Sequence, residues 1–148
     1  MGLVLAKTLA RSPSLTEELG MLIAQSQRRV WTTAARRLEE AGDSSLAWKV
    51  LAHLARSGRL TQSELATLTA QHPAGVSRLL DELEKQGCVS RGRDPGDRRR
   101  VNVLISARGK RRFEARLADV NEAVDQALGP LSDAERRLLR DLLRKLVA

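Results

Sequence analysis

The 148-residue chain is poor in cysteine and in aromatic side chains. Its one cysteine, Cys88, excludes a disulfide within the chain, and such sparing use of cysteine favours a cytoplasmic location. Two tryptophans, one phenylalanine and no tyrosine are too few for a protein that binds single-stranded nucleic acid by stacking bases on aromatic rings. We therefore expect binding by this chain to depend on side chains that are not aromatic.

Long apolar runs are also missing from the chain. No stretch approaches the roughly 18–20 apolar residues of a membrane-spanning helix. Near the start of the chain, the apolar stretch at residues 2–6 is shorter than the roughly 7–15 residues of a signal-peptide core. We therefore expect neither a cleaved leader nor a membrane partner.

Patterns that carry catalysis or bind cofactors are absent as well. The sequence has no nucleophile–base pair, phosphate-binding loop or glycine-rich cofactor fingerprint. Its two histidines and one cysteine lack the spacing of metal ligands. We expect no enzyme, no catalytic residue, no metal and no cofactor, and we interpret Cys88 as a small apolar residue of a strand.

Positive charge is what the chain has in excess. Lys and Arg number 26 against 18 Asp and Glu, which gives a net charge of +8. Residues 56–112 hold 13 of the bases but only six of the acids, whereas the remainder of the chain is nearly balanced. A basic excess confined to one segment indicates a polyanionic partner, and double-stranded DNA is the first candidate.

Helix starts are marked by three capping boxes, in which a hydroxyl residue is followed three positions later by Glu. They lie at Ser14–Glu17, Thr61–Glu64 and Ser132–Glu135. Further helices are predicted after Ser44 or Ser45 and after Ser106, because apolar residues recur there at steps of three and four. The first and last helices carry long leucine-rich stripes.

The middle of the chain predicts a helix-turn-helix followed by a hairpin. A short helix at residues 62–68 is separated by about four residues from a helix that begins at Pro73 and ends before Gly87. Residues 88–93 and 101–105 then have the pattern of strands, and the turn sequence DPGD lies between them.

Several segments resemble the MarR-type winged helix-turn-helix transcription regulators. They read TQSELA at residues 61–66, VSRLLDELE at 76–84, GCVSR at 87–91 and, most specifically, DPGDRRRVNV at 94–103. The resemblance implies a mainly α fold with a small β-hairpin wing. It also implies an N-terminal dimerisation helix at residues 14–42, a winged helix-turn-helix at 44–106 and C-terminal dimerisation helices at 107–148.

The resemblance also implies a function. We expect a homodimeric, sequence-specific regulator of transcription, most simply a repressor, that binds palindromic double-stranded DNA. A small-molecule effector is expected in the cleft between the dimer helices and the winged region. The leucine-rich, nearly neutral terminal helices support a homodimer independently, because such faces rarely remain exposed on a monomer.

Two other functions remain open on the sequence alone. The charge would also suit an architectural or non-specific DNA-binding protein. A winged helix can serve protein contact too, with the arginine loop docked on an acidic surface.

The chain departs from the family's pattern at several positions. Ala70 stands where a turn glycine is usual, and His72 where the recognition helix is usually preceded by Ser or Thr. Ile105-Ser106 replaces the usual Leu-Thr, and Cys88 replaces a larger apolar residue. The first two departures leave the start of the recognition helix uncertain by a residue or two.

The start of the second helix of the helix-turn-helix is expected to face base edges in the major groove. The residues that this places on DNA are His72, Ala74, Gly75, Ser77 and Arg78. Arg78 can pair with guanine through two hydrogen bonds, and the alternative for it is a phosphate contact.

The hairpin loop carries Arg98, Arg99 and Arg100, which suit the negative potential of a narrow minor groove. The resemblance implies that Arg99 enters the groove and that Asp97 holds it. Arg91, in the first strand of the hairpin, is also expected to contact DNA. The alternative for the loop is a solvated charged turn.

Overall fold

A computed structural model describes residues 11–148 of the chain, so the apolar stretch at residues 2–6 lies outside the described residues. Within that range the chain forms six helices and three strands. In chain order they are α1 (Leu15–Glu40), α2 (Ser45–Ser57), β1 (Arg59–Thr61), α3 (Gln62–Leu68), α4 (Pro73–Lys85), β2 (Val89–Arg93), β3 (Val101–Ile105), α5 (Ala107–Ala127) and α6 (Asp133–Val147). The mainly α fold with a small β wing is confirmed.

All three predicted capping boxes form at the starts of α1, α3 and α6. At α1 the Ser14 hydroxyl accepts a hydrogen bond from the Glu17 backbone N–H at 3.2 Å, and the Glu17 carboxylate accepts one from the Ser14 N–H at 2.6 Å. Ser44 and Ser106 cap α2 and α5 as well. The helix starts follow from contacts within four residues of sequence, which is why the sequence predicts them well.

The sheet has one strand more than the predicted hairpin. The strands are antiparallel in the order β1-β3-β2, and Leu60 of β1 pairs with Val103 of β3. The sequence analysis missed β1 because three residues are too few to show an alternating pattern. This strand ties the start of α3 to the wing.

Two groups of buried residues meet along α5. The larger one lies inside the winged region, residues 44–106, and includes Leu51, Leu65 and Leu80, all 0% exposed. The smaller one joins the C-terminal half of α1 to α2 and α5. Phe113 packs against both groups, so α5 holds the winged region and α1 together.

The two ends of the described range, residues 11–148, bury very little. No residue of α6 is buried, and Leu138, Leu142, Leu143 and Leu146 are 43–70% exposed. Of the stripe predicted along α1, only Ala34 and Leu38 are buried. Within residues 11–148, none of the helices combines the length and apolarity that crossing a membrane requires.

Candidate nucleic-acid interface

The helix-turn-helix consists of α3, a four-residue turn and α4. Thr69 anchors the turn, because its hydroxyl donates a 2.6 Å hydrogen bond to the Leu65 carbonyl. Ala70 has φ = 52°, a left-handed conformation that glycine adopts at lower cost. The turn therefore keeps the geometry for which glycine is usual, although the residue there carries a side chain.

The start of α4 is defined by His72 and Pro73. His72 is the N-cap, and its Nδ1 accepts a hydrogen bond from the Ala74 backbone N–H at 3.2 Å. Pro73 occupies the first helical position, where its missing N–H is not needed. This settles the start of the helix: the histidine takes over the capping role of Ser or Thr.

The exposed face of α4 begins with small residues. Ala74 is exposed, and a Cβ on Gly75 would meet no atom within 4 Å beyond its chain neighbours and the backbone of its own helix. Arg78 lies along this face, where its Nε donates to the Ala74 carbonyl at 3.4 Å. Ser77 is half-buried beside them. The first two turns of α4 thus present small side chains and the guanidinium of Arg78.

The wing loop is organised by a carboxylate that the sequence analysis did not select. Asp94 Oδ1 accepts the backbone N–H of Gly96 at 2.8 Å, and its Oδ2 accepts from the side chain of Asn102 at 3.1 Å. The hydrogen bond from Asn102, together with the backbone donors, holds the pKa of Asp94 below its ordinary value. The loop therefore has a fixed shape stabilised by an ionised Asp94.

Asp97 acts on the main chain of the loop. Its Oδ1 accepts the backbone N–H of Arg99 at 3.0 Å, and its carbonyl accepts the N–H of Arg100 at 3.0 Å. Asp97 thus holds Arg99 in place through the backbone. Arg98, Arg99 and Arg100 are all exposed, and none of them is ion-paired with a carboxylate of residues 11–148.

An open groove of about 510 Å³ separates the wing from the helix-turn-helix. Gln62 and Ser63, at the start of α3, line one wall, and Pro73 lines another. Arg99 and Arg100 line the side of the wing. The structure therefore brings the wing arginines and the start of α4 to the edges of one groove. The sequence does not predict Gln62 and Ser63 as residues of this groove, because nothing in the local pattern distinguishes them from polar residues at other helix starts.

Arg91 is placed differently from the other predicted contacts. Its guanidinium pairs with Asp81 and with Glu84, the latter at 2.8 Å, and its side chain is 19% exposed. The hydrogen bond from Arg91 lowers the pKa of Glu84. Arg91 ties β2 to α4 and has its charge locally balanced, so its contact with DNA stays a prediction.

A second, smaller cleft of about 170 Å³ lies between α1 and α2. Trp31 and Trp48 form its apolar part, and the Nζ of Lys49 is 4.0 Å from the ring centroid of Trp31. Burial, then the charges of Arg56 and Lys49, lowers the pKa of His53. The cleft combines aromatic walls with cationic groups. Residues 11–148 hold no cluster of three or more His, Cys, Asp or Glu side chains suited to a metal ion.

Comparisons with known proteins agree with this architecture. The family model described as "MarR family" matches residues 44–100. The transcriptional repressor NicR of Pseudomonas putida is 26% identical over 133 residues, which cover 90% of this chain and 84% of NicR.

Solved structures show the same fold. A protein described as a probable transcriptional regulator from Pseudomonas aeruginosa is 34% identical, with a TM-score of 0.69, over 90% of this chain and 99% of its own. A mutant MarR from E. coli complexed with operator DNA is 24% identical, with a TM-score of 0.70, over 92% of this chain and 100% of its own. At that identity the second likeness shows the fold alone.

Proposed function

Because the chain belongs to the MarR family of DNA-binding transcriptional regulators, we propose that it is a homodimeric repressor that binds a palindromic operator. The observation that carries the proposal is the open groove between the wing and the helix-turn-helix. Arg99 and Arg100, which form no ion pair with a carboxylate of residues 11–148, line the groove on one side, and the exposed start of α4 lies at its other edge. Both parts can therefore reach one duplex at the same time, with α4 in the major groove and the wing beside it.

The contacts that we propose follow the exposure of each side chain. His72, Ala74 and Gly75 let the start of α4 approach the bases closely, and Arg78 reads a base edge. Arg98, Arg99 and Arg100 enter the minor groove or bind its phosphates.

A second copy of the chain would cover the exposed leucines. We propose residues 14–42 and 107–148 as the dimerisation helices and residues 44–106 as the DNA-binding region. Leu15, Leu19 and Leu22 of α1 are 48–72% exposed, comparable with the leucines of α6. Burying apolar area of this kind is the main source of free energy for a stable dimer.

A small-molecule effector would bind in the cleft beside Trp31 and Trp48. The aromatic walls and the nearby charges of Lys49 and Arg56 suit a small, partly apolar anion. The cleft lies between α1, a proposed dimerisation helix, and α2 of the winged region. A ligand in this cleft can change the angle between α1 and α2.

The proposal is tested by titrating the protein with a palindromic duplex selected from a random pool and with an unselected duplex, at several salt concentrations. We expect the selected duplex to bind at least about a hundredfold more tightly. Replacing Arg98, Arg99 and Arg100 together by Ala should reduce the log–log salt slope by up to about 0.9 for each phosphate that is no longer neutralised. Folding should change little, because exposed loop substitutions usually cost within about 0.5 kcal/mol.

The matched control removes the same three charges elsewhere. Arg108, Lys110 and Arg111 are exposed at the start of α5, at the opposite end of the hairpin from the loop, and their replacement by Ala should leave most of the slope intact. Equal affinity for both duplexes would indicate a non-specific or architectural protein. No binding at low salt would indicate a protein-contact module instead.

A further inference from the structure

One arginine outside the proposed DNA interface joins its own helix to two other parts of the fold. Arg112, on the second turn of α5, donates from Nη2 to Asp43 Oδ1 at 2.6 Å and from Nε to Asp43 Oδ2 at 3.2 Å. Its Nη1 donates to Gln86 Oε1 at 2.6 Å. Asp43 lies in the turn between α1 and α2, and Gln86 is the C-cap of the recognition helix α4. A single guanidinium therefore joins α5 to the turn that follows α1 and to the C-cap of α4.

The carboxylate at this junction is held rigidly. The Asp43 side chain is only 6% exposed, and its Oδ1 also accepts the Ser44 backbone N–H at 2.7 Å. Burial by itself would raise the pKa of Asp43, but the hydrogen bonds from Arg112 and Ser44 outweigh it and leave the pKa below its ordinary value. The ion pair is thus fully formed at neutral pH, and its geometry is the two-bond pairing that arginine favours.

The start of α5 is also pressed against the end of α4. A Cβ on Gly109 would lie 2.2 Å from the carbonyl oxygen of Cys88, so only glycine fits at this approach. The Ser106 hydroxyl donates to the Gly87 carbonyl at 2.6 Å. These contacts hold α5 against the winged region at one point, and α4 is fixed within that region by its buried Val76, Leu80 and Leu83.

The bond to Gln86 can set the angle of the winged region, and of α4 with it, about that point. Among residues 11–148 it is the only side-chain hydrogen bond that joins α4 or its C-cap to residues 14–42 or 107–148. Helix α4 has 13 residues and is therefore about 20 Å long, with its DNA-facing start at the far end from Gln86. A rotation of about 10° at Gln86 would move that start by about 3.5 Å, which is the rise of one base pair.

We propose that Arg112 is a positioning residue, which fixes the recognition helix relative to the dimerisation helices through Gln86 and thereby sets the half-site spacing that the dimer accepts. The inference rests on the proposed function, a dimer on a palindrome. Arginine suits the role because its fork can hold a carboxylate and an amide at once, whereas lysine offers one point of charge.

The test compares the palindrome selected by the wild-type protein with the same palindrome lengthened or shortened by one base pair at its centre. The wild-type protein should lose at least about tenfold in affinity when the spacing changes. Gln86→Met keeps the ion pair between Arg112 and Asp43 and removes the hydrogen bond to Gln86. The affinity of this variant should therefore fall by about threefold or less when the spacing changes. Arg112→Met should behave in the same way if it folds.

Two controls separate positioning from stability and from charge. Gln86→Glu retains an acceptor for Arg112 and should retain the wild-type spacing penalty. Arg111→Met removes a charge from the neighbouring exposed position, and this variant should also show the wild-type spacing penalty. Thermal melts of Gln86→Met should stay close to the wild type, because Gln86 is exposed.

The outcomes are distinct. A folded Gln86→Met that keeps the full spacing penalty overturns the inference and leaves the proposed function standing. A wild-type protein that shows no spacing penalty overturns the palindromic dimer itself, and the inference falls with it.

Discussion

The leucines of the winged region and those of the C-terminal helix α6 differ in how far they are exposed. Leu51, Leu65 and Leu80 of the winged region are fully buried, whereas Leu138 and Leu146 of α6 are 60% and 70% exposed. The buried leucines lie on three helices, α2, α3 and α4, and the exposed ones lie on α6; each contributes to the apolar face of its own helix. The difference is that the winged region covers its own apolar faces, while α6 presents one that the rest of residues 11–148 leaves exposed.

This contrast shows what a second copy of the chain would supply. A leucine already covered stabilises the fold at any protein concentration, whereas an uncovered one stabilises only an assembly. The winged region should therefore fold without α6, and binding to a palindrome should require it. The three predictions that follow probe this difference.

The largest effect is expected from removing α6. A chain that ends at Gly129 should remain folded, because α6 contributes no buried residue, but it should sediment as a monomer. Its affinity for the selected palindrome should fall roughly 10²–10⁴-fold, since the two half-sites would then be bound independently. A dimer of unchanged stability after this truncation would contradict the proposed dimerisation helices.

A smaller effect is expected from single leucines. Leu80→Ala should lower the free energy of unfolding by about 2–5 kcal/mol, because it leaves a cavity in the core. Leu142→Ala should instead weaken the dimer by at least about tenfold, measured by sedimentation at several concentrations. If the dimer constant responded to Leu80→Ala and not to Leu142→Ala, the contrast between the two regions would be wrong.

The smallest effect concerns the strained turn of the winged region. Ala70→Gly should raise the free energy of unfolding by about 1 kcal/mol, because glycine accepts the positive φ at lower cost. Denaturant unfolding measures the change, and Ala74→Gly, in the first turn of α4, is the matched control, which should destabilise. Destabilisation by Ala70→Gly would show that the turn is not strained.

The sequence predicted most of the helices because their starts depend on local chemistry. Ser14, Thr61 and Ser132 bond within three residues of themselves, so the pattern that predicts each cap is also its physical cause. The positions of Pro73 and Gly87 at the two ends of α4 follow for the same reason.

What the sequence could not predict depends on contacts between distant residues. Arg91 looks like any basic residue of a wing until Asp81 and Glu84 are seen beside it. Arg112 and Asp43 are 69 positions apart, and nothing near either one indicates the pair. The leucine stripe of α6 indicated an interface from the sequence alone, but the exposure of each leucine depends on the fold of the rest of the chain.

Hydroxyl-radical footprinting of the intact protein on the selected palindrome, combined with the stoichiometry of the complex, tests the central claim most directly. Two chains per duplex should protect two symmetric half-sites roughly 10 bp apart centre to centre, with minor-groove protection where the wings lie. One chain that protects a single asymmetric half-site at saturation would contradict the account.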